Sequence, residues 1–132
     1  MFLLRFYDIF GAVRIFKNTW FTRYAGKEGI SDNELAEAVK QLEAGQANAN
    51  LGGNVYKLRV ARSGEGKSSG YRVIVLFRSG DKTFYVYGFA KSERDNIDKK
   101  ELRYFKKRAK DYFSLTDEQL DKRKKLGKLI EL

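Results

Sequence analysis

The sequence contains neither histidine nor cysteine. Without cysteine there is no disulfide, no thiolate nucleophile and no zinc-ribbon ligand set. Without histidine there is no Ser–His triad and no imidazole acid–base pair. Ribonuclease chemistry that depends on two histidines is therefore excluded, and any reaction must be run with Lys, Arg, Tyr and carboxylates. A long hydrophobic run is missing as well. The apolar opening from Met1 to Val13 is interrupted by Arg5 and Asp8 and is followed by no clean small-residue cleavage site. It makes a poor signal peptide and is too short to span a bilayer. A cytoplasmic protein with no membrane partner is expected, and the lack of cysteine is compatible with that compartment.

What the chain does have is positive charge. Lys and Arg number 27 against 17 Asp and Glu, a formal net charge of +10. Such an excess attracts polyanions over long range, nucleic acid first, then an anionic membrane or an acidic protein. A length of 132 residues suffices for one domain with a real core and is too short for two ordinary ones. The pattern divides it into an N-terminal extension at 1–12, a domain at 13–113, and a C-terminal helix and tail at 114–132.

Val13 to Phe16 has the β-branched and aromatic content of a short strand. Asn18 or Thr19 is placed to cap a helix carrying Trp20, Phe21 and Tyr24, with Gly26 as its end. Ser31 with Glu34 forms a capping box flanked by the staple pair Ile30 and Leu35. Leu35, Ala38, Val39 and Leu42 follow at helical spacing until Gly45. Residues 46–53 are small and polar, a loop. Tyr56, Leu58 and Val60 alternate with Lys57 and Arg59, so the strand has one apolar and one cationic face. Tyr71 to Phe77 is nearly all apolar, as a strand covered on both faces would be. Ser79 to Lys82 turns it into Thr83–Ala90, which implies a mainly antiparallel sheet. Asp98 with Glu101 caps a helix whose apolar stripe is Leu102, Phe105, Ala109, Tyr112 and Phe113 and whose outer face is basic. Thr116 with Gln119 caps another that Gly127 closes. The expected class is α+β: a small antiparallel sheet against two N-terminal helices, with one or two C-terminal helices.

The segment from Val55 to Lys91 concentrates the chemistry. It carries Lys57, Arg59, Arg62, Lys67, Arg72 and Lys91 through three strands and the glycine- and serine-rich loop Ser63–Gly70. Glycine lets backbone amides approach a phosphate closely, and the cations would surround it. No Gly-Lys-Ser/Thr enters a helix at P-loop spacing. Strand alternation turns Lys57 and Arg59 to the same face, with Arg72 on the adjacent strand and Lys91 at the end of the third. Cleavage of RNA by its own 2′-hydroxyl needs that hydroxyl deprotonated, a doubly charged phosphorane stabilised and the leaving 5′-oxygen protonated. Clustered cations depress the pKa of a lysine toward that of a base, while arginine stays charged for the transition state. The same residues also read as charges that merely solvate an exposed sheet face, and the strand tyrosines as half-buried core rather than base-stacking groups.

Tyr56-Lys57-Leu58-Arg59, Ser69-Gly70-Tyr71-Arg72-Val73 and Ala90-Lys91-Ser92-Glu93-Arg94, in that order and spacing, resemble the core signature of the RelE superfamily of bacterial toxins. The longer Arg62–Gly70 loop is most similar to the HigB-like branch. The resemblance implies a RelE-like fold and a toxin of a type II toxin–antitoxin pair. Such a toxin enters the ribosomal A site and cleaves mRNA to a 2′,3′-cyclic phosphate, without metal or other cofactor. It implies the ribosome and a cognate antitoxin as partners, the latter of a kind that carries a helix-turn-helix in some systems. Carried over by position, Arg59 and Arg72 match cationic active-site positions, and Lys91 lies in the segment where the family places another. Ser92 stands where the best-known relatives have arginine and Asp98 where they have tyrosine, so Lys67 or Lys91 fills the proton-transfer role. Lys57, Arg62, Tyr71 and Arg94 are the candidate RNA-binding residues. Two other readings fit the sequence: a ParE-like toxin that inhibits gyrase by binding, and a non-catalytic nucleic-acid-binding module.

Overall fold

The computed structural model describes residues 13–46, 49–60 and 70–132. Its described elements are β1 (Ile15–Asn18), α1 (Thr19–Glu28), α2 (Asp32–Glu43), β2 (Ala49–Asn50), β3 (Val55–Val60), β4 (Tyr71–Phe77), β5 (Thr83–Ala90), α3 (Lys99–Phe113), α4 (Asp117–Lys125) and β6 (Leu129–Glu131). The strands form one sheet in the order β2-β3-β4-β5-β1-β6. The fold is α+β, as the patterning implies.

The sheet is apolar on both faces and carries helices on both. Leu58, Val73, Val75 and Tyr85 face α1 and α2, meeting Phe21 and Leu35. Val55, Ile74, Leu76 and Phe84 face the other way, meeting Phe105 and Tyr112 of α3. β4 at the centre is consequently buried at every residue, the condition that produces a continuous apolar run. Each capping box is present in the structure: the side chains of Ser31, Asp98 and Thr116 accept from the backbone N–H three residues on, and Glu34, Glu101 and Gln119 reciprocate.

Some boundaries differ from the sequence reading. α1 continues through Gly26 and ends at Glu28, where Gly29 takes the left-handed conformation at φ 73° and its N–H donates to the Ala25 carbonyl. Gly29 supplies the conformation that is nearly free only for glycine. The 46–53 loop contains the short β2, paired antiparallel with β3. β1 runs parallel to β5, so the sheet is antiparallel except at that one junction. The stretch read as a tail contains β6, which pairs antiparallel with β1. Segment 114–132 is thereby built into the sheet, and Leu120 and Leu129 are almost fully buried against it.

An ionic cluster ties this segment down. Arg14 donates through Nε and Nη2 to Glu131, each at 2.9 Å, through Nη1 to Asp117 at 3.1 Å and through Nη2 to Asp121 at 2.7 Å. Lys124 Nζ reaches the same Glu131 at 2.8 Å. The Arg14 bonds hold the Glu131 carboxyl below its ordinary value of 4.5. A carboxylate depressed in the folded state adds stability that is complete above its unfolded value and is lost as pH falls through the folded one. Resistance of the wild type to denaturant should therefore weaken as pH drops below about 4.5. Glu131→Gln should be less stable than wild type at pH 7, with the gap closing in acid. Parallel curves at all pH values would remove Glu131 from the account.

Candidate functional site

The pairing of β3 with β4 sets Arg59 directly opposite Arg72, and β5 sets Phe89 opposite Arg72 on its other side. Directly opposite residues of an antiparallel pair share a face, with Cβ atoms roughly 5 Å apart. Two arginines so placed repel, which lowers sheet stability and concentrates positive charge at one spot. Lys57 lies two residues back along the same face, opposite Ile74. Arg59 is exposed, whereas Arg72 is only 6 % exposed. Burial first, and the Arg59 charge second, lower the Arg72 pKa, while Asp95 opposes them.

The segment after β5 frames this row. The Arg94 guanidinium lies 5.4 Å over the Phe89 ring. It is fixed there by two bonds to Glu101, at 2.6 and 3.1 Å, and by donation from Nε to the Asn96 carbonyl at 3.0 Å. Its Nη1 also donates to the Tyr87 hydroxyl at 3.4 Å. The ion pair raises the Arg94 pKa and holds Glu101 below the usual carboxylate range. Arg94 is thus committed within the fold as a strut between β5 and α3. Lys91 is exposed in the turn that follows β5, and its backbone N–H donates to the Gly70 carbonyl at 3.3 Å. That bond sets the turn beside the start of β4, two residues from Arg72.

The structure therefore brings Lys57, Arg59, Arg72 and Arg94 to one face, with Lys91 at its margin. Tyr71 is not among them. It lies on the opposite face at 3 % exposure, and its hydroxyl donates to Glu28 at 2.9 Å. Strand alternation makes that unavoidable, because the neighbour of an outward residue points the other way. Arg62 and Lys67 lie outside the described residues. Asp98, which stands where the signature of similar toxins has tyrosine, is engaged as the cap of α3, accepting the Glu101 N–H at 2.8 Å. Ser92 is exposed in the turn. Phe89, Asp95 and Glu101 were missed as contributors. The bulge in the β4–β5 register at Ile74/Val75 moves Phe89 onto the arginine face, and strand spacing alone does not reveal a bulge. Among the described residues no three His, Cys, Asp or Glu side chains cluster as metal ligands. Nor is any described helix long and apolar enough to cross a membrane.

Arg59 and Arg72, set by the strand register, and Arg94, set by its bonds to Glu101, thus concentrate positive charge on one face. The family model described as the RelE toxin of the RelE/RelB toxin–antitoxin system matches residues 13–132. The chain belongs to this family. It is a toxin of a toxin–antitoxin system, and the matched residues run from the first described position through α4 and β6. No curated protein matches the toxin.

Proposed function

We propose that the toxin is a ribosome-dependent mRNA endonuclease that cuts within the A site without a metal ion. The observation that carries this reading is Arg59 directly opposite Arg72, with Phe89 and the strutted Arg94 completing the row. A phosphodiester approaching the row meets the exposed Arg59 and, beneath it, the field of the buried Arg72. Guanidinium matches phosphate geometry and stays charged.

The reaction in this reading is transesterification by the RNA's own 2′-hydroxyl. A base removes the proton of the 2′-hydroxyl, the 2′-oxygen bonds to phosphorus, and the 5′-oxygen departs with a proton from an acid. The products are a 2′,3′-cyclic phosphate and a 5′-hydroxyl. Arg59 and Arg72 stabilise the extra negative charge on the pentavalent phosphorus, which exceeds that of the ground state and so lowers the barrier. We assign the proton transfers to Lys91 and to Lys67, and backbone positioning of the RNA to Lys57 and Arg62. The cognate antitoxin neutralises the toxin by covering this cationic face.

Primer extension on mRNA in a translating extract tests the reading. With ribosomes, the purified toxin should produce discrete stops within coding sequence that a stalled ribosome alone does not give. Without ribosomes the same mRNA should stay intact. Intact mRNA in both arms, together with inhibition of gyrase supercoiling, would move the toxin to the gyrase-binding class.

A further inference from the structure

At the far end of β3 from Arg59 lies a second cationic site. A cleft of about 390 Å³ is lined by Gly53, Asn54, Arg78, Lys106, Lys110 and Phe113 together with Ser114, and no carboxylate among the described residues lines it. Its cations come from different places in the chain. Arg78 follows β4, while Lys106 and Lys110 stand at i and i+4 on α3 and so share one side of that helix.

The cations are held rather than scattered. The Arg78 guanidinium stacks 4.7 Å over the Phe113 ring, and Asp81 accepts from its Nε and Nη2. Its Nη1 edge has no partner among the described residues. The Lys106 stem lies across Gly53, where a Cβ would come within 2.7 Å of Lys106 Cγ. Gly53 has φ 59° and the following Asn54 φ 65°. The turn into β3 is therefore one that leaves room for a lysine stem and seats its ammonium over the chain. Neither Lys106 nor Lys110 makes an ion pair with a described residue, and both are exposed.

The two sites lie on the same side of the sheet. Val55, Lys57 and Arg59 alternate onto the α3 face, so Lys57 sits between the cleft and the arginine row. From Val55 to Arg59 a strand rises roughly 13 Å. That spacing gives three stations of positive charge along one line, which suits an extended chain of regularly spaced phosphates.

We infer that the Arg78–Lys106–Lys110 cleft is a second phosphate-binding site for the RNA backbone, and that single-stranded RNA runs along β3 from the arginine row into it. The inference rests on the nuclease reading for the identity of the strand, yet it concerns binding and not cleavage. The cleft acts as an anchor away from the reacting phosphate.

The test is anisotropy titration of the full toxin with a fluorescein-labelled, single-stranded 2′-O-methyl RNA, which cannot be cut, between about 50 and 200 mM salt. Each single-strand phosphate contact contributes about 0.7 to the slope of log affinity against log salt. Lys106→Gln combined with Lys110→Gln should lower that slope by about 1.4 and weaken binding at least about fivefold at the higher salt. The Lys106→Arg and Lys110→Arg pair should restore both. A double Gln variant with the wild-type slope would overturn the proposal. So would an unchanged slope accompanied by lost affinity for poly-glutamate, which would hand the cleft to an acidic protein segment. Failure of the nuclease reading shows elsewhere, as absent cleavage by wild-type toxin on ribosomes, and leaves these slopes as they are.

Discussion

Arg72→Ala should lower the rate of ribosome-dependent mRNA cleavage by about 10²–10³-fold, the usual cost of removing one preorganised donor from a developing oxyanion. Three features make Arg72 the most sensitive position. It is buried to 6 % exposure, it is paired across the sheet with Arg59, and its other neighbour is the ring of Phe89. A buried, register-fixed guanidinium needs no reorganisation when the phosphorane forms, and the low surrounding dielectric strengthens its field. Arg59 is exposed and screened by water, so Arg59→Ala should cost less, on the order of 10-fold. Arg72→Lys should keep part of the activity, because charge survives while the planar fork does not. Primer-extension stop intensity over time in a translating extract gives the rates. Thermal unfolding and antitoxin pull-down establish that each variant is folded. Full activity in Arg72→Ala would remove the arginine row from the chemistry, whatever the toxin does.

Phe84→Ala should be the most damaging change to stability among core truncations, at about 4 kcal/mol. Phe84 is fully buried where β5, β1 and α3 meet. Its ring lies 5.3 Å from Phe16, 4.7 Å from Tyr112 and 5.7 Å from Phe113. Truncation removes the transfer energy of the ring, leaves a cavity, and deletes three aromatic contacts that link a strand pair to the helix over it. For a domain of this size the loss corresponds to roughly 15 °C in melting temperature. Differential scanning calorimetry measures it directly. A drop below about 1 kcal/mol would mean that the neighbouring rings close the cavity.

The local features of this fold were legible and the long-range ones were not. Ser31, Asp98 and Thr116 announce their helices through side-chain chemistry confined to three residues. The apolar run of β4 announces a central strand because burial on both faces admits little else. The alternation of Lys57 and Arg59 with Leu58 and Val60 likewise foretold which cations share a face. β6 has three residues and no alternation to read, and its existence depends on the unpaired edge of β1 more than a hundred residues earlier. The parallel β1–β5 pairing leaves no local trace for the same reason. At the site, Arg72 was expected, yet its burial and its Phe89 neighbour depend on strand register and a bulge. Arg94 is expected as an RNA contact because it is a cation in the right segment, and its bonds to Glu101 appear only once α3 is docked.

The sheet order has a kinetic consequence. Ile15 pairs with Thr83 and Phe16 with Glu131, so both partners of β1 lie far along the chain, and closing those loops costs entropy before any contact is gained. Arg59 and Arg72 sit on consecutive antiparallel strands whose closure is local by comparison. During folding the arginine row should assemble with the β3–β4–β5 meander, while the β1–β6 flank docks afterwards and limits the rate. The two facing arginines are thus brought together early, on an unfinished sheet that still has an open edge.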